Sequence, residues 1–392
     1  MPLNLDKLKS FKVPLLLILL IISIAGTLFF TVPGPGRSEH EIPYKDGTVF
    51  YAAGKTWLQG GNPYNLTELR NTIGRPYLNY FLYPPSASLF CIFLTLFDLA
   101  TAQWVLYMIN WLMVLAIIMM NIYTIKKQEG SVGWDATFLM STAIISLTAT
   151  RTILWLGQSS LVAIGFLMAA WLLRYRSWAL SGILLGMASF KPQLSLALTL
   201  WFLINRNWKI LAIAIVTFFL LSLYPIFTNG LWESFREWYA ALANADAVVT
   251  SKMSSPGVVG IESFLYKFGI LFPKAKILTA IFIGTLWVFR KHIYEDSIFA
   301  LLMVVSLTFL FTHAYDYVCL APGFAWLWLL LRNKKFGLTH VVTLLLLTPF
   351  FIPNRMVQLT GLNLCRSACV LGIGVLLLFL SARYQSVRLA LQ

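Results

Sequence analysis

The strongest constraint on this chain is a recurring pattern of long apolar runs that end in pairs of basic residues. Residues 13–30, 102–125 and 298–312 carry no charged side chain, and 208–226 and 362–381 carry one each. In a helix, about 20 such residues rise roughly 30 Å, the thickness of a hydrocarbon core. With 59% of its 392 residues apolar and 11% charged, and a mean hydropathy of +0.76, the chain has more apolar surface than one soluble core can hide. The sequence therefore specifies an all-α polytopic membrane protein. A net charge of +15 does not mark a nucleic-acid binder, because Lys126-Lys127, Arg174 with Arg176, and Arg290-Lys291 sit in pairs between apolar runs and not on one basic face.

Lys7, Lys9 and Lys12 ahead of the first run place the N-terminus in the cytoplasm, and the absence of an A-x-A site makes that run an uncleaved signal anchor. Alternation from there predicts about 12 transmembrane helices with both termini inside. The first outer loop, residues 34–100, then carries two interfacial helices. One follows Asp46, where Val49, Phe50, Ala53 and Trp57 recur at helical spacing, and is expected to lie on the bilayer with that side down until Gly60, Gly61 and Pro63 stop it. The other is expected over 85–99, where 15 residues rise only about 22 Å, with Asp98 at its far end. The stretch 178–205 poses a choice. As one helix it would be about 42 Å long and would hold Lys191 near mid-bilayer at about 2.5–3.5 kcal/mol. As a hairpin of two short helices, Lys191 becomes an outer turn and Pro192 opens the second arm. The hairpin is the expectation. The chain thus divides into a catalytic transmembrane module (1–226), a second outer loop (227–273) and C-terminal transmembrane helices (274–392).

This topology brings Asp46, Arg151, Gln158, Lys191, His313 and Asp316 to one outer face. A carboxylate beside several cationic or protonatable groups at a membrane surface suits transfer from a lipid phosphate. The carboxylate takes the proton of an attacking hydroxyl, and Lys191, Arg151 and His313 stabilise the charge growing on the departing phosphate. Each residue also has a plainer role open to it: Asp46 as a helix N-cap, Lys191 as an interfacial anchor, Arg151 as a snorkelling flank, His313 as a structural residue and Asp316 as a cap of the next helix. Cys91, Cys319, Cys365 and Cys369 fall in apolar surroundings and read as packing residues. There is no clustered acidic or H-x-x-x-H spacing for a metal and no Gly-rich phosphate loop for a nucleotide, so neither metal nor cofactor is expected.

Asp46 with Tyr51-Ala52-Ala53, Gly60-Gly61-Asn62-Pro63-Tyr64, Tyr83-Pro84-Pro85, Leu156-Gly157-Gln158, Phe190-Lys191-Pro192 and His313-Ala314-Tyr315-Asp316-Tyr317 together resemble glycosyltransferase family 87. The resemblance implies a C-type membrane glycosyltransferase architecture and an inverting transfer of a hexose, mannose in the first instance, from a polyprenyl-phosphate sugar to a glycan, glycolipid or other hydroxyl acceptor. It implies the non-cytoplasmic side of the plasma (inner) membrane, Asp46 as general base, and Lys191 and His313 at the donor phosphate. Gln158, Asn62, Tyr64, Tyr83, Tyr315 and Asp316 would line the pocket. Ser160 stands where the family pattern leads one to expect Asn.

A polytopic transporter or flippase for a lipid-linked or anionic substrate is the competing plan, since 12 crossings with both ends inside also suit transporters. Against it, the two halves show no internal repeat, and the scarce ionisable residues gather at one face.

Overall fold

The computed structural model describes residues 5–32, 45–74, 78–249, 257–270, 275–332, 335–353, 356–357 and 363–390. Residues 34–44 and 75–77 of the expected first outer loop, and 250–256 and 271–273 of the expected second, lie outside the described residues.

Helix α1 (Leu5–Thr31) is the first apolar run. Helix α2 (Lys45–Leu58) follows, with α3 (Leu66–Ile73) opened by Asn65, whose side chain accepts the Thr67 and Glu68 N–H groups, and closed at Gly74. The expected apolar side of α2 exists, but it does not lie on lipid. Val49, Phe50, Ala53 and Trp57 are 4%, 1%, 0% and 1% exposed, because α2 packs against α4 (Ser88–Leu94). Gly54 permits this contact: a Cβ there would stand 2.3 Å from the Cys91 carbonyl oxygen. The helix expected over 85–99 is correspondingly shorter, a 3-10 turn (Pro85–Ala87) leading into α4. Asp98 belongs to the next element instead, since its Oδ1 accepts the Thr101 N–H at 2.9 Å and starts α5 (Leu99–Glu129).

Helices α6 (Trp134–Ser146) and α7 (Thr148–Leu156) form one apolar path bent by 52° at Leu147. Then come α8 (Ser160–Leu173), α9 (Trp178–Ala188) and α10 (Pro192–Ile204). The expected break at Lys191 is present, and α9 and α10 part company there. The first packs on α8 and α11 (Trp208–Leu221), and the second on α15 (Ala275–Val288) and α16 (Ile298–Phe309). Helix α12 (Leu223–Asn229) continues α11 after a 53° bend, and α13 (Leu231–Val249) and α14 (Ile261–Tyr266) lie within 227–273, the stretch expected as the second outer loop. The C-terminal part adds α17 (Ala321–Leu331), α18 (Leu338–Leu347) and α19 (Asn363–Ala390). The two-residue strands β1 (Val258–Val259) and β2 (Thr312–His313) pair antiparallel, with Val258 opposite His313.

Among the described residues four helices are long and apolar enough to cross a membrane, and six if each bent pair is one crossing. The remaining apolar helices have 10–17 residues. Those of 11–14 residues rise only about 16–21 Å, short of the core, which is why this number falls below the 12 crossings expected from apolar runs alone. Cys91 and Cys319 are buried, whereas Cys365 is exposed and does not pack as expected.

Two ends of the molecule are marked by helix α5, about 46 Å long. At its start Gln103 Nε2 donates to Thr48 Oγ1 of α2 at 3.3 Å, and at its end Lys127 Nζ meets Asp296 Oδ2 at 2.8 Å. Helix α8 runs between the same two ends, with Ser160 at one and, just past its last turn, Arg174 bound to Glu295 (3.0 Å) and Asp296 (2.9 Å) at the other.

Candidate active site

Asp46 lies inside the first turn of α2, so it does not cap that helix from outside. Its Oδ2 accepts the Gln158 Nε2–H at 2.7 Å. Gln158 sits in the break between α7 and α8, where Gly157 adopts φ +67°, a left-handed conformation that ends α7 and turns the next residue inward. The other end of the Gln158 amide is used as well: its Oε1 accepts the Tyr83 hydroxyl at 2.8 Å and the Ser159 N–H at 3.2 Å. Donors on one side and an acceptor on the other assign the amide nitrogen to Asp46. Burial lifts the Asp46 carboxyl above its ordinary value, and the Gln158 hydrogen bond and the charges of His313 and Lys191 partly offset that rise. A carboxylate held this way is a stronger base than one in water.

A second group of side chains forms beneath it. Lys191 is 1% exposed and Asp316 0%. Lys191 Nζ donates to Ser160 Oγ at 2.6 Å and to Asp316 Oδ1 at 3.3 Å, and the Ser160 hydroxyl donates to the same Oδ1 at 2.7 Å. Asp316 Oδ2 accepts the His313 N–H at 3.0 Å, capping the short helix Ala314–Leu320. The strand pairing fixes the same corner from the other side, where Ala314 N–H reaches the Gly257 carbonyl at 2.8 Å. The His313 ring stacks on Tyr315 at 5.1 Å. The Lys191 ammonium stands 4.9 Å from the Tyr315 ring and 6.0 Å from that of Tyr83, so two aromatic faces flank it. Burial lowers the His313 pKa; Asp316 opposes that shift, Lys191 adds to it and Asp46 opposes it. Burial thus favours the neutral imidazole, which offers an N–H.

The structure thus gathers Asp46, Tyr83, Gln158, Lys191, His313, Tyr315 and Asp316 into one connected cluster. Asn62 and Tyr64 stand one layer behind: Asn62 Oδ1 accepts the Tyr64 N–H at 2.9 Å, and the buried Tyr64 hydroxyl donates to the Tyr83 carbonyl at 3.0 Å. Arg151 turns elsewhere, its Nε donating to Thr27 Oγ1 of α1 at 3.2 Å, although its helix packs on the 314–320 turn. Reading the sequence missed the bridging role of Ser160 and the β1–β2 pairing behind His313. The signal for the first is that Ser160 follows Gln158 by two positions and stands where an Asn was expected. Among the described residues no group of three or more His, Cys, Asp or Glu side chains is placed to hold a metal ion.

The geometry offers a hydrogen-bonded carboxylate at the surface of the cluster, a neutral imidazole N–H and a fully buried cation. That set can take a proton from a hydroxyl and receive an anion beside it. No curated protein matches the chain. The model of glycosyltransferase family 87 matches residues 81–384, well over half of the chain. The matched stretch contains Tyr83, Arg151, Gln158, Lys191, His313, Tyr315 and Asp316, while Asp46, Asn62 and Tyr64 precede it. The chain belongs to glycosyltransferase family 87 and is an integral membrane glycosyltransferase.

Proposed function

We propose that this enzyme moves a hexose, mannose by resemblance, from a polyprenyl-phosphate carrier to an acceptor hydroxyl on the non-cytoplasmic face of the plasma membrane, with inversion at the anomeric carbon. The observation that carries the reading is the pairing of a base with an anion site: Asp46, held by Gln158 at 2.7 Å, belongs to the same cluster as the His313 imidazole and the Lys191 ammonium. The acceptor oxygen attacks the anomeric carbon on the face opposite the phosphate, and its proton passes to Asp46. The carbon–oxygen bond to phosphate breaks, its electron pair leaves on the phosphate, and His313 donates a hydrogen bond to the oxygen that gains charge. Lys191 acts from below through its field, being occupied by Ser160 and Asp316. Arg151 adds positive charge to the same face from its anchor on Thr27. The reading carries with it the twelve-crossing C-type plan, with the shorter apolar helices completing the bundle and the outer loops closing over the site.

The test is transfer by reconstituted proteoliposomes offered a panel of labelled polyprenyl-phosphate sugars and nucleotide sugars, with products followed by mass spectrometry. The reading expects label only from the lipid-linked donors and an inverted linkage. Transfer from nucleotide sugars alone would refute it.

A further inference from the structure

The site has two halves, and one short stretch of chain touches both. Gln158 binds Asp46 and Tyr83 at 2.7 and 2.8 Å. Two positions later Ser160, the first residue of α8 and wholly buried, binds Lys191 and Asp316 at 2.6 and 2.7 Å. Asp316 in turn accepts the backbone N–H of His313. A hydroxyl is suited to this place because it donates and accepts at once: here it donates to a carboxylate and accepts from an ammonium. Among the described contacts the ammonium lies nearer to Ser160 than to Asp316, 2.6 against 3.3 Å, so the hydroxyl carries the better bond of the ion pair.

We propose that Ser160 is a positioning residue for the transfer: through Lys191 and Asp316 it sets where the His313 imidazole stands relative to the Asp46 carboxylate. Ser160 touches no substrate in this account. The inference rests on the functional reading above and adds to it the residue that fixes the spacing between base and anion site. The spacing is set by two neighbouring residues at one helix start, so the two halves move together with α8. Removing the hydroxyl leaves Lys191 and Asp316 to find a new geometry in a closed space, and a shift of about 1 Å at His313 is enough to cost roughly 100-fold in rate.

The experiment uses the full-length protein in proteoliposomes, with kcat, KM for both substrates and the thermal midpoint measured on each variant. Ser160→Ala is expected to lower kcat about 10- to 100-fold while acceptor KM stays within about twofold of the native value. Ser160→Thr, which keeps the hydroxyl, recovers most of the rate. If the alanine protein does not fold, Ser160→Cys fills the same space with a weaker donor and is expected to lose rate in the same direction. The discriminating readout is a double-variant cycle: Ser160→Ala placed on Asp316→Asn should cost nothing further, because both act through one bond network, whereas a packing defect adds. A native rate in Ser160→Ala, or losses that add in the double variant, overturns the inference. Full transfer by Asp46→Asn would instead remove the functional reading on which it stands, so the two failures are told apart.

Discussion

The charged clusters at opposite ends of α5 and α8 are built on different terms. At one end Lys127, Arg174, Glu295 and Asp296 make overlapping ion pairs, with Lys127 and Glu295 side chains 47% and 55% exposed. Tyr175 adds a hydrogen bond to Glu295, and Arg332 pairs with Glu129 nearby. At the other end Lys191 and Asp316 form a single ion pair, 1% and 0% exposed. Arg174 and Asp296 are themselves mostly covered, at 7% and 15%, but each pair that includes Lys127 or Glu295 keeps one partner in solvent, and such pairs hold helix ends together at little cost and little gain. A buried pair costs several kcal/mol per ion in desolvation, and an apolar replacement of the same shape is often as stable. The difference teaches that the first cluster is a fastening, while the second, under the proposed function, serves the arrangement of His313 and the approach to Asp46.

Several substitutions would break or sharpen that contrast. Lys191→Ala strands the Asp316 charge in the interior and is expected to cost about 3–5 kcal/mol of stability, with transfer lost. The paired change Lys191→Met with Asp316→Asn should restore much of the thermal midpoint and none of the activity, and restored activity would make the pair a mere fastening too. His313→Ala is expected to lower kcat about 100-fold with a small change in midpoint. Because the His313 pKa is held low, acidification should protonate it and lower the donor KM, while protonation of Asp46 lowers kcat. A kcat and a KM that move together with pH would separate neither group.

At the fastened end the effects are smaller and fall on stability, not on transfer. Burial pushes the Asp296 carboxyl up, but hydrogen bonds and charge from Lys127 and Arg174 outweigh it and hold the group below its ordinary value. A carboxyl lowered in the folded state adds stability above its unfolded pKa and loses it as pH falls through the folded value. Asp296→Asn should therefore cost about 1 kcal/mol at neutral pH and nothing in strong acid, as read by thermal melts across pH. Lys127→Ala, which removes the exposed member of its pair, is expected to cost at most about 1 kcal/mol and to leave transfer unchanged.

Much of this was legible in the residue order. Apolar runs closed by basic pairs told the class, and Asp46, Gln158, Lys191 and His313 stood out because so few other polar side chains were available. What periodicity could not tell is what covers an apolar face. Val49, Phe50, Ala53 and Trp57 demanded an apolar neighbour, and α4 supplies it in place of the bilayer. Nor does run length tell where an apolar run bends, and the bend at Leu147 has no Pro or Gly to announce it. Ser160 stood out only as a departure from the family pattern, and its bridging role stayed hidden because a serine at the head of an apolar run looks like packing and its partners lie 31 and 156 positions away in the chain.

The account stands on Asp46 as the base, and its replacement by Asn measures that most directly. Burial raises the folded pKa of this carboxyl, so stability is lost as pH climbs through that range, and the neutral amide, still able to accept the Gln158 N–H, should leave the melting point equal or higher. In proteoliposomes supplied with a polyprenyl-phosphate sugar, Asp46→Asn is predicted to lose about 10²–10⁴-fold in turnover while keeping that melting point. Turnover at the native rate in the same folded protein would contradict the account.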